Sequence, residues 1–204
     1  LALVEKPNRV VITGDLIDKL AWLPQVCERL TTFAKQIPDG VDFILGNHEY
    51  HHDVNKVLDE LKHNTPMNIL VNSNIQIMGC KQPVYIAGVA YDNDREKEKR
   101  EAMIDKALSG IPDYAFVILL AHHPEFFEEA IERKIPLTLS GHTHGGQIVF
   151  MGMPLVPTGT PYTKGRYVEE QSVCYVNNGS GHWFPIRINC PREITVITFF
   201  DGVA

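Results

Sequence analysis

Val10-Val11-Ile12-Thr13-Gly14-Asp15-Leu16-Ile17-Asp18 joins a short β-branched apolar run to a glycine and two carboxylates. Runs that are apolar throughout and only a few residues long read as strands buried on both faces of an α/β sheet. The arrangement recurs three times. Phe43-Ile44-Leu45 leads into Gly46-Asn47-His48-Glu49, Val117-Ile118-Leu119-Leu120 into Ala121-His122-His123-Pro124, and Leu137-Thr138-Leu139 into Gly141-His142-Thr143-His144. Ligands of such sheets collect where strands end and loops begin. Four strands ending in Asp, Asn, His and His-x-His therefore aim one oxygen- and nitrogen-rich cluster at a single place.

Working outward, the spacing predicts strands at 9–14, 42–46, 68–71, 74–80, 84–90, 116–121 and 137–141, with a β-rich tail near 147–151, 172–178 and 193–200. Helices are predicted at about 24–36, 54–63, 95–109 and 125–133. In the first, Pro24 suits a helix start, and Val26, Cys27, Leu30, Phe33 and Ala34 share one face. Strand–helix alternation early and hairpin-like strands late imply two mixed sheets packed together with helices outside. The stretch 151–166 is rich in Gly and Pro and reads as a long loop, a length uncommon without function.

The 204 residues fit a single domain over 1–204. With 19 basic and 25 acidic side chains the net charge is −6, so no basic field argues for a nucleic-acid partner. The densest charge run, Arg95-Glu96-Lys97-Glu98-Lys99-Arg100-Glu101, alternates in sign and reads as a solvated helix face. Cys27, Cys80, Cys174 and Cys190 are far apart, which fits reduced thiols better than a zinc ribbon or disulfide framework. No run reaches the roughly 18–20 apolar residues of a membrane span, and no signal-like pattern opens the sequence.

A dinuclear phosphoester site holds two cations roughly 3.5–4 Å apart and needs a bridging carboxylate, neutral N/O donors and a proton donor. Asp15 can bridge; Asn47, His122 and His142 can complete one ion; His144 is placed to reach its neighbour. Asp18 beside His48 can fix an imidazole tautomer and let His48 donate to a departing oxygen. Singly, each piece has an ordinary reading: an Asx turn, a tight turn, surface histidine. Their joint occurrence at four strand ends favours a site. His51, His52, His63 and His123 read as surface residues or as residues behind the ligands.

In this order the residues resemble the calcineurin-like metallophosphoesterase superfamily, with motifs D-x-H, G-D-x-x-D, G-N-H-[DE], H and G-H-x-H. Gly141-His142-Thr143-His144-Gly145-Gly146-Gln147 and Pro185-Ile186-Arg187-Ile188-Asn189-Cys190-Pro191-Arg192-Glu193-Ile194 are similar to its YkuE/YaeI-type bacterial branch. The resemblance implies a four-layer α/β/β/α sandwich and two divalent metal ions (Mn, Fe, Zn or Mg). Asp15 would bridge, Asn47, His122 and His142 would hold the second ion and His144 the first, with a metal-bridging hydroxide attacking phosphorus and His48, oriented by Asp18, as the acid. No D-x-H precedes Gly14, so the first-metal set is incomplete and the chain is expected to lack a first strand; Asp92, Asp94, His51 and His52 have no supporting spacing as substitutes. The substrate implied is a phosphodiester or a lipid-linked pyrophosphate such as UDP-2,3-diacylglucosamine, met in the cytoplasm by a domain peripheral to the inner membrane. Val149, Phe150, Met151, Met153, Pro154, Leu155 and Val156, with Trp183 and Phe184, would offer an acyl groove or membrane contact, or pack on their own β-tail, and Lys164, Arg166 and Arg187 are candidate phosphate contacts. The alternatives are a non-catalytic binding module or a degenerate hydrolase with one complete metal site.

Overall fold

The computed structural model describes residues 2–90, 96–182 and 184–200. In chain order its main elements are β1 (Val10–Ile12), α1 (Leu23–Ala34), β2 (Val41–Phe43), α2 (Asn47–Tyr50), α3 (Val54–Asn64), β3 (Asn68–Ile69), β4 (Ser73–Ile77), β5 (Val84–Gly88), α4 (Lys97–Leu108), β6 (Phe116–Leu120), α5 (Phe126–Glu132), β7 (Leu137–Ser140), β8 (Val149–Phe150), β9 (Met153–Pro154), β10 (Gly165–Glu169) and β11 (Ser172–Val176). Asp92 and Asp94, and Trp183, lie outside the described residues.

The smaller sheet has the order β1-β2-β3, all parallel. The larger is mixed, in the order β10-β11-β7-β6-β5-β4, with parallel pairs in the middle and an antiparallel pair at each end. β8 and β9 form a separate hairpin.

Period-two alternation along the strands sorts their side chains into layers. Along β6, Val117 and Leu119 face outward with Ile104 and Ala107 of α4 and Phe126, Phe127 and Ala130 of α5. Phe116, Ile118 and Leu120 face the other way, onto Val11 of the smaller sheet and Ile44 and Leu70, which follow directly on its strands. That sheet's outer side, with Val10, Ile12, Val41 and Phe43, packs on Leu23, Cys27 and Leu30 of α1 and Val57 and Leu61 of α3. The three cores define a helix–sheet–sheet–helix sandwich, the fold class expected. Gly88 lies in close approach between the sheets: a Cβ there would meet Leu70 Cβ at 2.5 Å and Ile44 Cγ2 at 2.6 Å.

Two expectations need correction. Residues 193–200 form no strand, although their sequence alternates like one. Alternation reports a preference for a pleated surface, whereas a strand also needs a neighbouring edge to bond. Here the segment is tied instead by Glu193 N–H to Gly179 O and by the Glu193–Tyr175 and Thr195–Asn177 side-chain contacts. Conversely, the predicted loop over 151–166 contains β9 and runs into β10. The added strand β10 bonds antiparallel to β11 at the sheet edge.

Candidate metal centre

Each parallel strand delivers its C-terminal loop to one end of the sandwich, and the loops interlock there. After β1 the chain turns through Gly14 (φ +95°) and Asp15 (φ +56°), in the left-handed region. A side chain at Gly14 would collide with His122 Nδ1 at 2.6 Å and Gly46 Cα at 2.7 Å, so glycine is what lets three loops meet. The fully buried carboxylate of Glu49 accepts hydrogen bonds from the backbone N–H groups of Asp15, Leu16, Ile17 and Gly46. Burial and the neighbouring Asp15 charge push the Glu49 carboxyl up, against the pull of those amides.

Four donor atoms converge. Asn47 Oδ1 lies 3.0 Å from His122 Nε2 and 2.9 Å from His142 Nδ1, and those two nitrogens are 3.3 Å apart. Asp15 Oδ2 is 3.2 Å from His122 Nε2. The other nitrogen of His122, Nδ1, is 2.6 Å from the carbonyl of Thr13, which can only accept. His122 Nδ1 therefore carries the proton, and in the neutral ring Nε2 presents a lone pair to Asn47 Oδ1 and Asp15 Oδ2. Acceptors facing acceptors repel unless a cation or an extra proton lies between them. The separations suit a cation: bonds of about 2.0–2.1 Å in tetrahedral or octahedral geometry put neighbouring ligand atoms about 3.0–3.4 Å apart.

The electrostatics agree. Burial works against ionisation of Asp15, but the His122 hydrogen bond and charge and the His48 N–H outweigh it and hold the carboxyl well below the usual range. Burial would likewise lower the His122 pKa, and Asp15 reverses that and raises it. His142 is driven down to about 3, chiefly by burial and then by His123 and His122. Protons alone thus satisfy His122 but leave His142 a neutral imidazole.

The remaining expected residues sit around this cage. His48 Nδ1 is 3.0 Å from Asp18 Oδ1, and its Nε2 faces Asp15 Oδ2 at 3.9 Å, so the predicted pair forms at the mouth of the site. His144 stands apart from the four. Its Nδ1 is 3.1 Å from Arg187 Nη2, a group that only donates, so neutral His144 holds its proton on Nε2. Burial and then the Arg187 charge lower its pKa to about 4. Arg187 also donates to the carbonyls of Asn178 and Gly181 at 2.9 and 2.6 Å. It serves the architecture here, whereas Lys164 and Arg166 are exposed.

The His51 ring lies 5.2 Å from that of His48, His63 Nδ1 lies 2.7 Å from the Asp59 carbonyl, and His52 Nε2 lies 3.1 Å from the Asp18 carbonyl. His123, read as surface or as lying behind the ligands, is buried and stacks on His142 with ring centroids 3.7 Å apart. Among the described residues, His122, His123 and His142 bring one nitrogen each within 4.8 Å of one another. The cage opens into a cavity of about 220 Å³ walled by His48, His144, Val156, Pro157 and Thr158.

Comparison with known proteins shows the family. The calcineurin-like phosphoesterase family profile matches residues 1–146. An uncharacterized metallophosphoesterase of Campylobacter jejuni is 36% identical over 202 residues, 95% of this chain and 51% of the relative. The uncharacterized metallophosphoesterase YkuE of Bacillus subtilis is 31% identical over 210 residues, covering 95% and 68%. A zebrafish (Danio rerio) transmembrane protein with metallophosphoesterase domain is 32% identical over 204 residues, covering 94% and 45%. The chain spans about half the length of the first of these relatives. The loops that build the cage all fall inside the matched region, and the chain belongs to the calcineurin-like phosphoesterase family.

Proposed function

We propose that this chain carries the catalytic domain of a metal-dependent phosphodiesterase or pyrophosphatase. The observation that carries the reading is the convergence of four atoms able to ligate a metal, Asp15 Oδ2, Asn47 Oδ1, His122 Nε2 and His142 Nδ1, within 2.9–3.3 Å along the cage contacts. These residues would hold a divalent cation such as Mn, Fe, Zn or Mg. When bound, the cation supplies Lewis acidity to the phosphoryl oxygens and to the attacking water. Asp18 holds the His48 ring through Nδ1, leaving Nε2 as the nitrogen that would serve the leaving oxygen as general acid. His142 and Asn47 contribute no charge, so the single carboxylate of Asp15 leaves the bound ion net positive toward a phosphate.

A second ion would share Asp15 and take His144. It needs further donors and requires Arg187 to release His144 Nδ1. The outer edge of β1 is paired by no described residue, and a strand added there would bring donors to the same end of the sheet. The Arg187–His144 contact favours the competing reading, a one-cation binding module.

For substrate we infer a phosphodiester or pyrophosphate attached to a lipid. Phe150, Met151, Met153 and Leu155 project from the hairpin beside the cavity wall and are all more than 60% exposed or close to it, at 60, 82, 65 and 62%. Such a patch suits acyl chains or a bilayer surface. One relative is named as a transmembrane protein, and in this chain no described helix is long and apolar enough to cross a membrane; the contact we propose is made by the surface of this domain.

The test is Mn²⁺-dependent hydrolysis of bis-p-nitrophenyl phosphate, with the Asp15→Asn variant and the bound metal counted by equilibrium dialysis. Turnover lost in the variant supports the reading, and turnover retained there overturns it. A stoichiometry of one without turnover selects the binding module.

A further inference from the structure

Glu49 ends the Gly-Asn-His-Glu segment, and nothing in the sequence gives it a task. Its side chain is 0% exposed. Oε1 accepts the N–H groups of Leu16 at 2.7 Å and Ile17 at 3.2 Å, and Oε2 those of Asp15 at 3.0 Å and Gly46 at 2.6 Å. A carboxylate withdrawn from water is costly unless charge-assisted hydrogen bonds replace its hydration, and four amides do so here.

The origin of those amides matters more than their number. Three are consecutive and belong to the turn that carries Asp15. The fourth precedes Asn47. The bond to Gly46 belongs to the cap of α2, which needs only one of the four. The other three leave the helix and cross to a loop more than thirty residues earlier. Asp15 holds φ at +56°, a region a non-glycine residue keeps only when its surroundings fix it. Rotating Asp15 back to ordinary φ would swing these N–H groups off Glu49.

We propose that Glu49 is the positioning residue of the metal centre, fixing the Asp15 backbone and the gap between the Asp15 and Asn47 loops, and thereby setting cation affinity without touching the cation. The proposal deepens the reading above and rests on Asp15 and Asn47 being ligands.

Glu49→Gln keeps the shape but turns an NH₂ group toward two of the four donors. The folded variant is expected to bind Mn²⁺, followed by electron paramagnetic resonance, at least about tenfold more weakly, the scale seen when residues supporting metal ligands are changed. The Co²⁺ absorption spectrum should shift as the donor set rearranges. Glu49→Asp, which keeps the charge on a shorter arm, should recover part of the affinity. Val57→Ala, on the buried face of α3, should lower stability without altering a residue of the site and serves as the comparison.

A folded Glu49→Gln protein with wild-type Mn²⁺ affinity and Co²⁺ spectrum overturns the proposal. So does a Val57→Ala protein that loses affinity in step with its melting temperature, since general loosening would then suffice. If Glu49→Gln does not fold, Glu49→Asp is judged by the same two readouts. A wild-type chain that takes up neither ion overturns the ligand reading itself, and this proposal with it.

Discussion

Gly46→Ala tests the cage by adding one methyl group. Gly46 has φ −104° and ψ −175°, extended backbone open to alanine, so any effect is steric. The new Cβ would lie 2.2 Å from Asp15 Oδ1, 2.5 Å from Asp15 N and 2.8 Å from His122 Cε1. Carbon contacts are comfortable from about 3.5 Å, so the carboxylate has to retreat by roughly 1 Å. It has little freedom to do so. Its Oδ1 accepts the His48 N–H at 3.0 Å, and its backbone N–H is held by Glu49. A displacement of about 1 Å at a reacting centre costs on the order of 10²-fold in rate, about 2.7 kcal/mol of transition-state stabilisation. Mn²⁺ affinity, kcat/KM on bis-p-nitrophenyl phosphate and melting temperature should be measured on one preparation. Gly181→Ala is the control, because a Cβ there meets nothing within 4 Å. A folded Gly46→Ala protein with wild-type metal affinity and turnover would refute the claim that this α-carbon seats directly against the ligand pair.

His48→Ala should retain full metal content and lose turnover by roughly 10²–10⁴, the range for a general acid; metal lost with the side chain would make His48 a ligand instead. Gly88→Ala wedges Leu70 and Ile44 apart between the two sheets and should lower urea stability by about 1–3 kcal/mol while Mn²⁺ affinity holds. Unchanged stability there would show that the sheets are not in close contact. Cys80 alone of the four thiols is exposed, so a thiol reagent at pH 8 should titrate one group in the native protein and four after denaturation. Burial pushes the Cys174 thiol up to about 12 from an ordinary value of 9.0. The folded protein therefore keeps that proton longer than the unfolded one, so its stabilising contribution is whole below pH 9 and is lost as pH rises toward 12. Wild type and Cys174→Ala should show the same pH dependence of stability below pH 9 and diverge above it, and parallel profiles above pH 9 would exclude the linkage.

Much of the fold was legible because burial is written into composition. A strand covered on both faces has no polar alternate positions, so Val117-Ile118-Leu119-Leu120 could only be central, and it lies between β5 and β7. Pairing partners are not written that way. The alternation in Glu193-Ile194-Thr195-Val196-Ile197 equals that of a strand, yet Ile194 and Val196 remain 51 and 57% exposed without a ladder. The edge strand β10, with exposed Arg166 and Val168, carries too weak a pattern to separate from the loop before it. The cage residues were legible for a different reason: a metal ligand must be Asp, Asn or His, and four such residues follow four apolar runs.

What the sequence could not reveal is how that cage is held, because most of the holding is done by backbone. Thr13 fixes the His122 tautomer through its carbonyl, and Glu49 is satisfied entirely by amides, groups every residue type but proline shares. Arg187 meets His144 from 43 positions away, with no local spacing to betray it. Asp15, His142 and His144 all occupy positive φ, at +56°, +67° and +50°. Each such residue costs on the order of 1–3 kcal/mol and persists only where its surroundings over-determine it. With His122 neutral, its Nε2 lone pair also faces Asn47 Oδ1 and Asp15 Oδ2, acceptors that a cation would draw together. A centre so arranged is prepared for its metal before the metal arrives, and the parts that prepare it are those whose loss should weaken binding without removing a single ligand.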